Sequence, residues 1–424
     1  MGVPIKSLFT LFVGLLIAVT VSSSNAQEED GKPFSFDDSW NEENEKKGIV
    51  QLDIDDPTYD LPFVTRDTSK DPKREPGPIH LNRQVFGNPF MGIPTFYRRP
   101  VAITPEDLVA GEVDAAFVGL PIDFVSVRRG TLLGPQAVRT AENLLHWNSA
   151  GSISEHTETM IDPFTILNVV DYGDIAVEPL NLERTIGHAI PVIREAAETG
   201  ATLLICGGSH SVPYPTIRGI VEANGGKGSV GVIHFDAHQD MQNKGFGHPA
   251  HYGTFARSLV LDGLVEGKHM IQVGMRGAVN SISGLEFQRE HGVTTYYMAE
   301  IRRRGFQAVA DDIVAQISAD DFPDKLYISL DLDFYDASVA PGTTGPEHGG
   351  VMPVDFFPLL RAMNIATHVV GMDIVEVAPM NDNRSGTTML LAARSFYETI
   401  VGMALKKQGI TDPWYLHPDL IVDD

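Results

Sequence analysis

Two short runs of the sequence place possible metal ligands at every second position. Asp236, His238 and Asp240 form the first run, and Asp331 with Asp333 forms the second. Each run closes an apolar segment that has the composition of a buried strand. Side chains two residues apart point to the same side of a strand, so each set can converge on one point. Because an unpaired buried carboxylate is costly and a cation relieves that cost, the pattern predicts a site for two metal ions.

A third segment supplies a sixth ligand. The apolar residues 203–206 are followed by two glycines, which permit a tight turn, and then by His210. Four carboxylates and two imidazoles without a thiolate favour Mn²⁺, with Ni²⁺, Co²⁺, Fe²⁺ or Zn²⁺ as possible substitutes. Two such ions about 3.5–4 Å apart can share a water, lower its pKa and direct hydroxide at an electrophilic carbon or phosphorus. Hydrolysis is therefore the predicted class of reaction.

The elements that must position these side chains alternate along the chain. From about residue 80 onward, short apolar runs are separated by amphipathic stretches of helical length, which predicts one doubly wound α/β domain with helices on both faces of a parallel sheet. In such sheets ligands bind beyond the carboxyl ends of the strands. Eight strands are predicted, at residues 115–120, 165–170, 201–206, 229–235, 270–274, 294–298, 325–332 and 368–375. Helices are predicted at residues 182–198, 213–224, 255–264, 306–318, 354–363 and 388–406.

The first 26 residues have the pattern of an export signal. They carry one charge, Lys6, then an apolar stretch, and then small residues at Ser24 and Ala26 that suit cleavage after Ala26. The apolar stretch is shorter than the roughly 20 residues that span a membrane, although an uncleaved anchor is the alternative. The sequence predicts a secretory or exported protein, either periplasmic or extracellular.

The rest of the chain divides by composition. Residues 27–79 are polar, acidic and interrupted by prolines, as in an extended arm or linker, residues 80–406 form the predicted catalytic domain, and residues 407–424 form a tail. The net charge of −24, from 56 acidic and 32 basic residues, argues against a nucleic-acid or membrane partner. A single cysteine, Cys206, follows an apolar run and is predicted to be a buried thiol without a disulfide.

The ligand runs belong to longer motifs that resemble those of the ureohydrolases, the group containing arginases, agmatinases and guanidinobutyrases. The resemblance spans roughly residues 85–405, and its most specific motifs are residues 236–240 and 329–336, supported by residues 92–96, 129–130, 133–135, 340–347 and 373–379. It implies a three-layer α/β/α, arginase-like fold around a mostly parallel eight-stranded sheet. It also implies two Mn²⁺ per subunit, and hydrolysis of a guanidino compound to urea and an amine by attack of metal-bound hydroxide.

The resemblance also implies roles for particular residues. One ion would be surrounded by His210, Asp236, Asp240 and Asp331, and the other by Asp236, His238, Asp331 and Asp333. Asp236 and Asp331 would then bridge the two ions. Asp240, His251 and Glu376 would be the catalytic residues, and His251 and Glu376 would also bind substrate.

Two of these assignments have alternatives. Glu376 matches the glutamate that binds guanidinium in the family, a task suited to paired carboxylate acceptors, and its alternative is an ion pair at a strand end. His251 resembles the histidine that transfers protons to the leaving amine. Tyr252 stands where the family usually has glycine, and His248 lies close enough in the sequence to take the role of His251.

Two further positions depart from the family pattern. Ser209 stands where aspartate is usual, and Ala378 stands where asparagine is usual. Because Ser209 removes a negative charge beside His210, we expect weaker binding of that ion or an altered metal preference.

Agmatine is the first predicted substrate, with putrescine and urea as products. The loop at residues 241–249 has no arginase pattern, whereas Thr95, Phe96 and residues 340–347 are more similar to the agmatinase and guanidinobutyrase branch. Guanidinobutyrate or another guanidino acid is the alternative. Its carboxylate would need a cation, and the candidates are Lys244, Arg276 and Arg302, each of which could equally be an ordinary surface charge.

A different class of function is an exported protein that binds metal or polyamine without turnover. The presence of both His251 and Glu376 argues against it, because ion binding alone needs neither a proton shuttle nor a guanidinium clamp. A deacetylase on a related fold fits poorly, since such sites hold one zinc with fewer carboxylates. The resemblance further implies a homo-oligomer, either a trimer or a hexamer.

Overall fold

The computed structural model describes residues 73–81, 92–124, 128–141, 156, 158–277 and 282–421. These residues belong to one compact unit, Glu42–Asp424. The predicted signal at residues 1–26 and the predicted arm as far as residue 72 lie outside the described residues.

One sheet of eight strands forms the centre of the fold. The strands are β1 (Ala115–Leu120), β2 (Val169–Asp174), β3 (Thr202–Gly207), β4 (Val230–Phe235), β5 (Met270–Met275), β6 (Thr294–Tyr297), β7 (Lys325–Asp331) and β8 (His368–Val375). Their order across the sheet is β2-β1-β3-β8-β7-β4-β5-β6, and every pair of neighbours runs parallel. Strands β3, β8, β7 and β4 therefore lie side by side in the middle.

Helices cover both faces of the sheet. They are α1 (Pro105–Ala110), α2 (Gly134–Ala141), α3 (Leu182–Glu198), α4 (Pro213–Ala223), α5 (Phe255–Leu261), α6 (Ile282–Glu290), α7 (Met298–Arg304), α8 (Phe306–Ile317), α9 (Pro353–Ala366) and α10 (Thr387–Lys407). Alternate residues of β1 belong to different cores: Phe117 lies in the core that includes residues of α9 and α10, and Val118 lies in the core that includes residues of α3 and α4. None of the described helices is both long enough and apolar enough to cross a membrane.

The predicted α/β/α architecture with eight strands is confirmed, and the named strands are all parallel rather than mostly parallel. The predicted second strand, residues 165–170, was wrong in its bounds. Asp162 caps a 3-10 helix at Pro163–Thr165 by accepting the Phe164 N–H at 3.0 Å, so the strand starts only at Val169. It then continues through Asp171, whose charge is paired with Arg139 at 2.7 Å.

The register of the central strands brings their carboxyl ends to one level. Phe235 of β4 pairs with Leu330 of β7, and Asp331 of β7 pairs with Val375 of β8. Asp236, Asp331 and Glu376 therefore leave neighbouring strands at the same edge of the sheet. This edge is where the predicted ligands meet.

Candidate metal centre

All six predicted ligands lie at the carboxyl edge of the central strands. His210 follows β3, while Asp236, His238 and Asp240 follow β4, and Asp331 and Asp333 lie at the end of β7. Five of the six are buried, and the side chain of His238 is 27% exposed. The strand ends thus bring together side chains that are up to 123 positions apart, from residue 210 to residue 333.

The first group of ligand atoms surrounds the imidazole of His210. Oxygen atoms of Asp236, Asp240 and Asp331 lie 3.0, 3.1 and 3.1 Å from its Nδ1. This nitrogen is fully buried, yet it makes no hydrogen bond to any described residue. A buried polar atom without a partner is costly, unless a bound group satisfies it.

The spacing of these atoms fits a metal ion. Ligand bonds of about 2.0–2.2 Å place neighbouring ligand atoms of an octahedral ion about 3 Å apart. The three distances from His210 Nδ1 match that separation, and all the donors are nitrogen or carboxylate oxygen. The residues present therefore fit a divalent ion of the manganese or zinc type.

A second group of ligand atoms overlaps the first through Asp236. Asp236, His238 and Asp333 each offer one ligand atom within 4.8 Å of the others. His238 Nδ1 lies 2.9 Å from Asp333 and 3.4 Å from Asp236. Because one carboxylate takes part in both groups, the arrangement suits two neighbouring ions that share a ligand.

The crowding of carboxylates raises the pKa of two of them, Asp331 and Asp333. Burial, together with the neighbouring charges of Asp333 and Asp236, raises the pKa of Asp331 well above its ordinary value. Burial and the charge of Asp236 likewise raise the pKa of Asp333 to about 6. A cation bound among these groups would remove that repulsion and keep the carboxylates ionised.

His234, which the sequence did not single out as a site residue, supports Asp236. The Gln272 amide donates to its Nδ1 at 2.8 Å, so the remaining ring proton is on Nε2 and is donated to Asp236 at 2.8 Å. His234 lies two residues before Asp236 on the same face of β4, within the same alternating run. This period of two was the signal that could have found it.

A hydrogen-bonded chain behind His210 also went unnoticed in the sequence. His210 Nε2 lies 3.3 Å from the Ser329 hydroxyl, which donates to Asp373 at 2.8 Å. The Tyr327 hydroxyl donates to the other oxygen of Asp373 at 2.6 Å. All four side chains are buried, so this chain orients the His210 ring and keeps Nδ1 turned toward the carboxylates.

Two site residues have unusual backbone conformations. Asp240 and Glu376 have φ angles of 49° and 59°, in the left-handed region that non-glycine residues seldom adopt. The turn before His210 is also tight, because a Cβ on Gly208 would lie 1.9 Å from the Ile122 carbonyl oxygen. The backbone at this edge is therefore held in place by its surroundings.

Glu376 lies against the metal-ligand segment. Its Oε1 accepts the backbone N–H of His210 at 2.7 Å, and its Oε2 accepts the Thr344 hydroxyl. Burial raises the pKa of Glu376 to about 7, although both hydrogen bonds act in the opposite direction. Each oxygen keeps a lone pair, so the carboxylate can still receive a planar cation.

The two candidate histidines for proton transfer differ in their environment. His251 is 3% exposed, and its Nδ1 accepts the Gly253 N–H at 3.0 Å, which leaves the ring proton on Nε2. Burial lowers the pKa of His251 to about 4 despite the nearby charge of Asp240. The side chain of His248 is 55% exposed and lies 3.9 Å from Glu183. The Gly253 carbonyl accepts the N–H of Gln242, two residues after Asp240, at 2.9 Å, which ties the turn of His251 to the ligand segment.

The remaining candidates have local roles. The Arg276 guanidinium donates to backbone carbonyls of Gly274, Asp333, Tyr335, Glu347 and His348. Arg302 donates to the Gly349 carbonyl at 3.3 Å. The Ser209 hydroxyl lies 3.1 Å from that of Ser211, and Ala378 is buried with its N–H donated to Gly342. Arg276 thus fastens the loops after β5 and β7.

Comparison with known proteins gives the same family by sequence and by structure. The model described as the arginase family matches residues 113–402. Human mitochondrial guanidino acid hydrolase is 30% identical over 80% of this chain and 89% of that protein, and chicken mitochondrial agmatinase is 31% identical over 73% and 85%. A hypothetical agmatinase from Burkholderia thailandensis has a TM-score of 0.66 and 28% identity, with 78% of this chain and 98% of that chain covered.

These findings confirm the resemblance that the motifs carry. The family match covers most of the described fold, including every residue of the ligand cluster and Glu376. The chain belongs to the arginase family, as a ureohydrolase of the agmatinase-like branch.

Proposed function

We propose that this protein hydrolyses a linear guanidino compound to urea and an amine at a centre of two manganese ions. The proposed ligands are His210, Asp236, His238, Asp240, Asp331 and Asp333. The observation that carries the proposal is the position of Glu376. Its buried carboxylate accepts the backbone N–H of the ligand His210 at 2.7 Å, so a guanidinium bound there would lie beside the ligand cluster.

Different residues of the chain would have different roles in the reaction. When bound, the two ions would supply a water of lowered pKa for attack on the guanidinium carbon. Glu376 orients the substrate through paired hydrogen bonds to the planar cation. His251 is neutral near pH 7 with its ring proton on Nε2, so this N–H would donate a hydrogen bond to the departing nitrogen, and the proton that this nitrogen gains would be the one that the attacking water loses.

Agmatine is our proposed substrate. A guanidino acid would need a cation for its carboxylate, and Arg276 is engaged with five backbone carbonyl groups. The partly exposed Glu347 instead lies 3.5 Å from His238 Nε2, where it could attract the ammonium group of agmatine. A guanidino acid is the second candidate, because the human relative at 30% identity is named a guanidino acid hydrolase.

The test is urea release by the purified, Mn²⁺-loaded protein with agmatine, guanidinobutyrate, guanidinopropionate, arginine and guanidine. We expect the highest kcat/KM with agmatine and a loss of at least about a hundredfold in Asp236→Asn, which removes the shared ligand. Glu300→Gln, which alters an exposed ion pair with Arg304, is the matched control. Highest turnover of a guanidino acid would replace agmatine as the substrate. No urea from any compound, with two metals bound per chain, would refute the proposed function and favour a binding protein.

We further propose that the chain is exported after cleavage following Ala26 and that it forms a trimer or hexamer. The composition of residues 1–26 supports export, and membership of the arginase family supports oligomerisation. The mass of the mature protein and light scattering of the purified protein test these two proposals separately.

A further inference from the structure

An aromatic row lies along one side of the candidate site. Phe246 is 77% exposed, and its ring lies 5.5 Å from the buried ring of His251. The ring of Tyr252 also contacts that of His251, with 3.9 Å between the two ring centroids. Tyr252 is half-buried, so the row passes from solvent, through a buried imidazole, to a phenol that is partly open.

The turn that carries Tyr252 is fastened to the ligand segment. Tyr252 begins the short 3-10 helix Tyr252–Thr254, and the Gly253 carbonyl of that turn accepts the Gln242 N–H at 2.9 Å. Gln242 comes two residues after the predicted ligand Asp240. The backbone of Gly245 also packs closely against His251, because a Cβ on Gly245 would lie 2.1 Å from the imidazole ring. The turn is therefore fixed at the carboxyl edge of the sheet.

The charges that act on the Tyr252 phenol agree with this position of the turn. They are Asp240, Glu376 and His238. Asp240 belongs to the first ligand group and His238 to the second, and both follow β4. Glu376, the proposed guanidinium-binding carboxylate, follows β8. Together with the ring contact of Tyr252 to His251 and the bond from Gln242 to the neighbouring Gly253, this puts the phenol on the side of the site that carries the ligand segment.

We propose that Tyr252 is a substrate-binding residue, whose ring and hydroxyl contact the guanidinium group held by Glu376. This inference rests on the proposed function, because it assigns a further contact within the same site. The face of a phenol ring attracts a planar guanidinium, and the hydroxyl can accept one of its N–H groups. A glycine at this position would leave that side of the cation to water.

The assignment gives this chain a specific preference among ligands. A guanidinium contacted by a ring face and by two carboxylate oxygens is recognised through its flat, positively charged shape. Urea has a similar outline but no charge, so it gains little from the ring or from Glu376. Tyr252 should therefore strengthen the binding of substrate much more than that of urea, which assists release of the product.

The test compares Tyr252→Phe and Tyr252→Leu with the Mn²⁺-loaded wild type. KM and kcat are measured with the best substrate, and the Kd for agmatine is measured by calorimetry together with manganese content. Loss of the ring in Tyr252→Leu should raise KM and Kd roughly two- to thirtyfold, with manganese content unchanged. Tyr252→Phe keeps the ring and should show a smaller increase. Tyr297→Leu, which alters a partly exposed tyrosine at the edge strand β6, is the matched control.

The outcomes separate this inference from the proposed function. KM and Kd of Tyr252→Leu within twofold of the wild type would overturn the role of Tyr252 while hydrolysis itself stands. Weaker binding to Tyr252→Leu, in a wild type that binds agmatine but releases no urea, would support the role while refuting hydrolysis. A fall in manganese content with unchanged agmatine affinity per loaded site would also overturn it, because Tyr252 would then support the metal centre.

Discussion

Two groups of charged side chains, each with buried members, lie in different parts of this molecule, and they are balanced in different ways. In the helix layer, the outer ion cluster consists of His156, Glu158, Arg361, Arg394 and Glu398. Glu398 accepts hydrogen bonds from His156 at 3.0 Å, from Arg394 at 2.7 Å and from Arg361. At the strand ends, the ion pairs described for the four aspartates are with imidazoles, and the buried Nδ1 of His210 is left without a hydrogen bond among the described residues.

The difference distinguishes a structural cluster from a binding site. Two arginines neutralise the two glutamates of the outer ion cluster within the chain itself, so it requires nothing from outside. The ion pairs of the strand-end aspartates are formed with histidines, whose charge depends on a bound proton, so a cation bound there would supply the balance that arginine supplies in the outer ion cluster. Arg361 and Glu398 are as buried as the strand-end aspartates, so the kind of partner, and not burial, distinguishes the binding site from the structural cluster.

We expect the largest effect on the free energy of unfolding when the negative charge of Glu398 is removed from the outer ion cluster. Glu398→Gln leaves the buried Arg361, whose side chain is 4% exposed, with only the half-exposed Glu158 as its counter-charge in the cluster. We expect the free energy of unfolding to fall by about 3–5 kcal/mol, measured by urea denaturation. Manganese affinity and KM should stay at the wild-type values, because none of the hydrogen bonds described for this cluster involves a residue of the strand-end cluster.

Glu300→Gln provides the control for that measurement. Glu300 pairs with Arg304 at 3.0 Å on the surface, where ion pairs contribute about 0–1 kcal/mol. Equal destabilisation by both substitutions, or a loss of manganese from Glu398→Gln, would remove the distinction between the two clusters.

We expect an effect of intermediate size on manganese affinity at the strand-end cluster. Ser329→Ala breaks the hydrogen-bonded chain from Asp373 to His210, so the ring loses its fixed orientation. Manganese affinity should fall about 10–100-fold, which corresponds to about 1.4–2.8 kcal/mol, as measured by calorimetric titration of the metal-free protein. Ser395→Ala is the matched control, because Ser395 is equally buried but bonds to Tyr335 at 2.7 Å. Equal metal affinity in the two variants would contradict a positioning role for Ser329.

The smallest effect is a dependence of stability on pH. Burial alone would raise the pKa of Glu398, but His156, Arg361 and Arg394 outweigh it and hold the pKa at about 2, below the ordinary 4.5. Because the folded-state pKa is the lower one, this stabilisation is complete above pH 4.5 and is lost as the pH falls toward 2.

This dependence is measured as a difference between two proteins. The stability advantage of the wild type over Glu398→Gln should shrink by about 1 kcal/mol between pH 7 and pH 3.5. The metal centre is common to both proteins, so its own titration cancels. An advantage that is constant, or that grows in acid, would show that Glu398 is not the group responsible.

The strand-end cluster could be predicted from the sequence because its signal is local. Asp236, His238 and Asp240 follow one another at a period of two after an apolar run, and parallel strands bring such ends to one edge. The eight strands were predicted for the same reason. The start of β2 was misplaced, since the cap formed by Asp162 and the pairing of Asp171 with Arg139 depend on side-chain contacts that apolar patterning does not contain.

The outer ion cluster could not be predicted. Its hydrogen bond between His156 and Glu398 joins residues 242 positions apart, and neither lies in a distinctive motif. Ser329 and Asp373 begin two of the motifs, but their hydrogen bond could not be foreseen, because they meet only where β7 and β8 are neighbours. Patterns along the chain identify residues that share an element, whereas partners from separate elements emerge only when the sheet order is known.

The left-handed backbone at Asp240 and Glu376 bears on how this enzyme could be engineered. Glycine adopts such angles without steric cost, so Asp240→Gly or Glu376→Gly would relax the backbone while deleting a carboxylate of the site. A selection for heat resistance alone would therefore tend to enrich glycine at both positions and drift toward inactive proteins. Libraries intended to improve thermal tolerance should keep these two codons fixed and place their diversity in the helix layers.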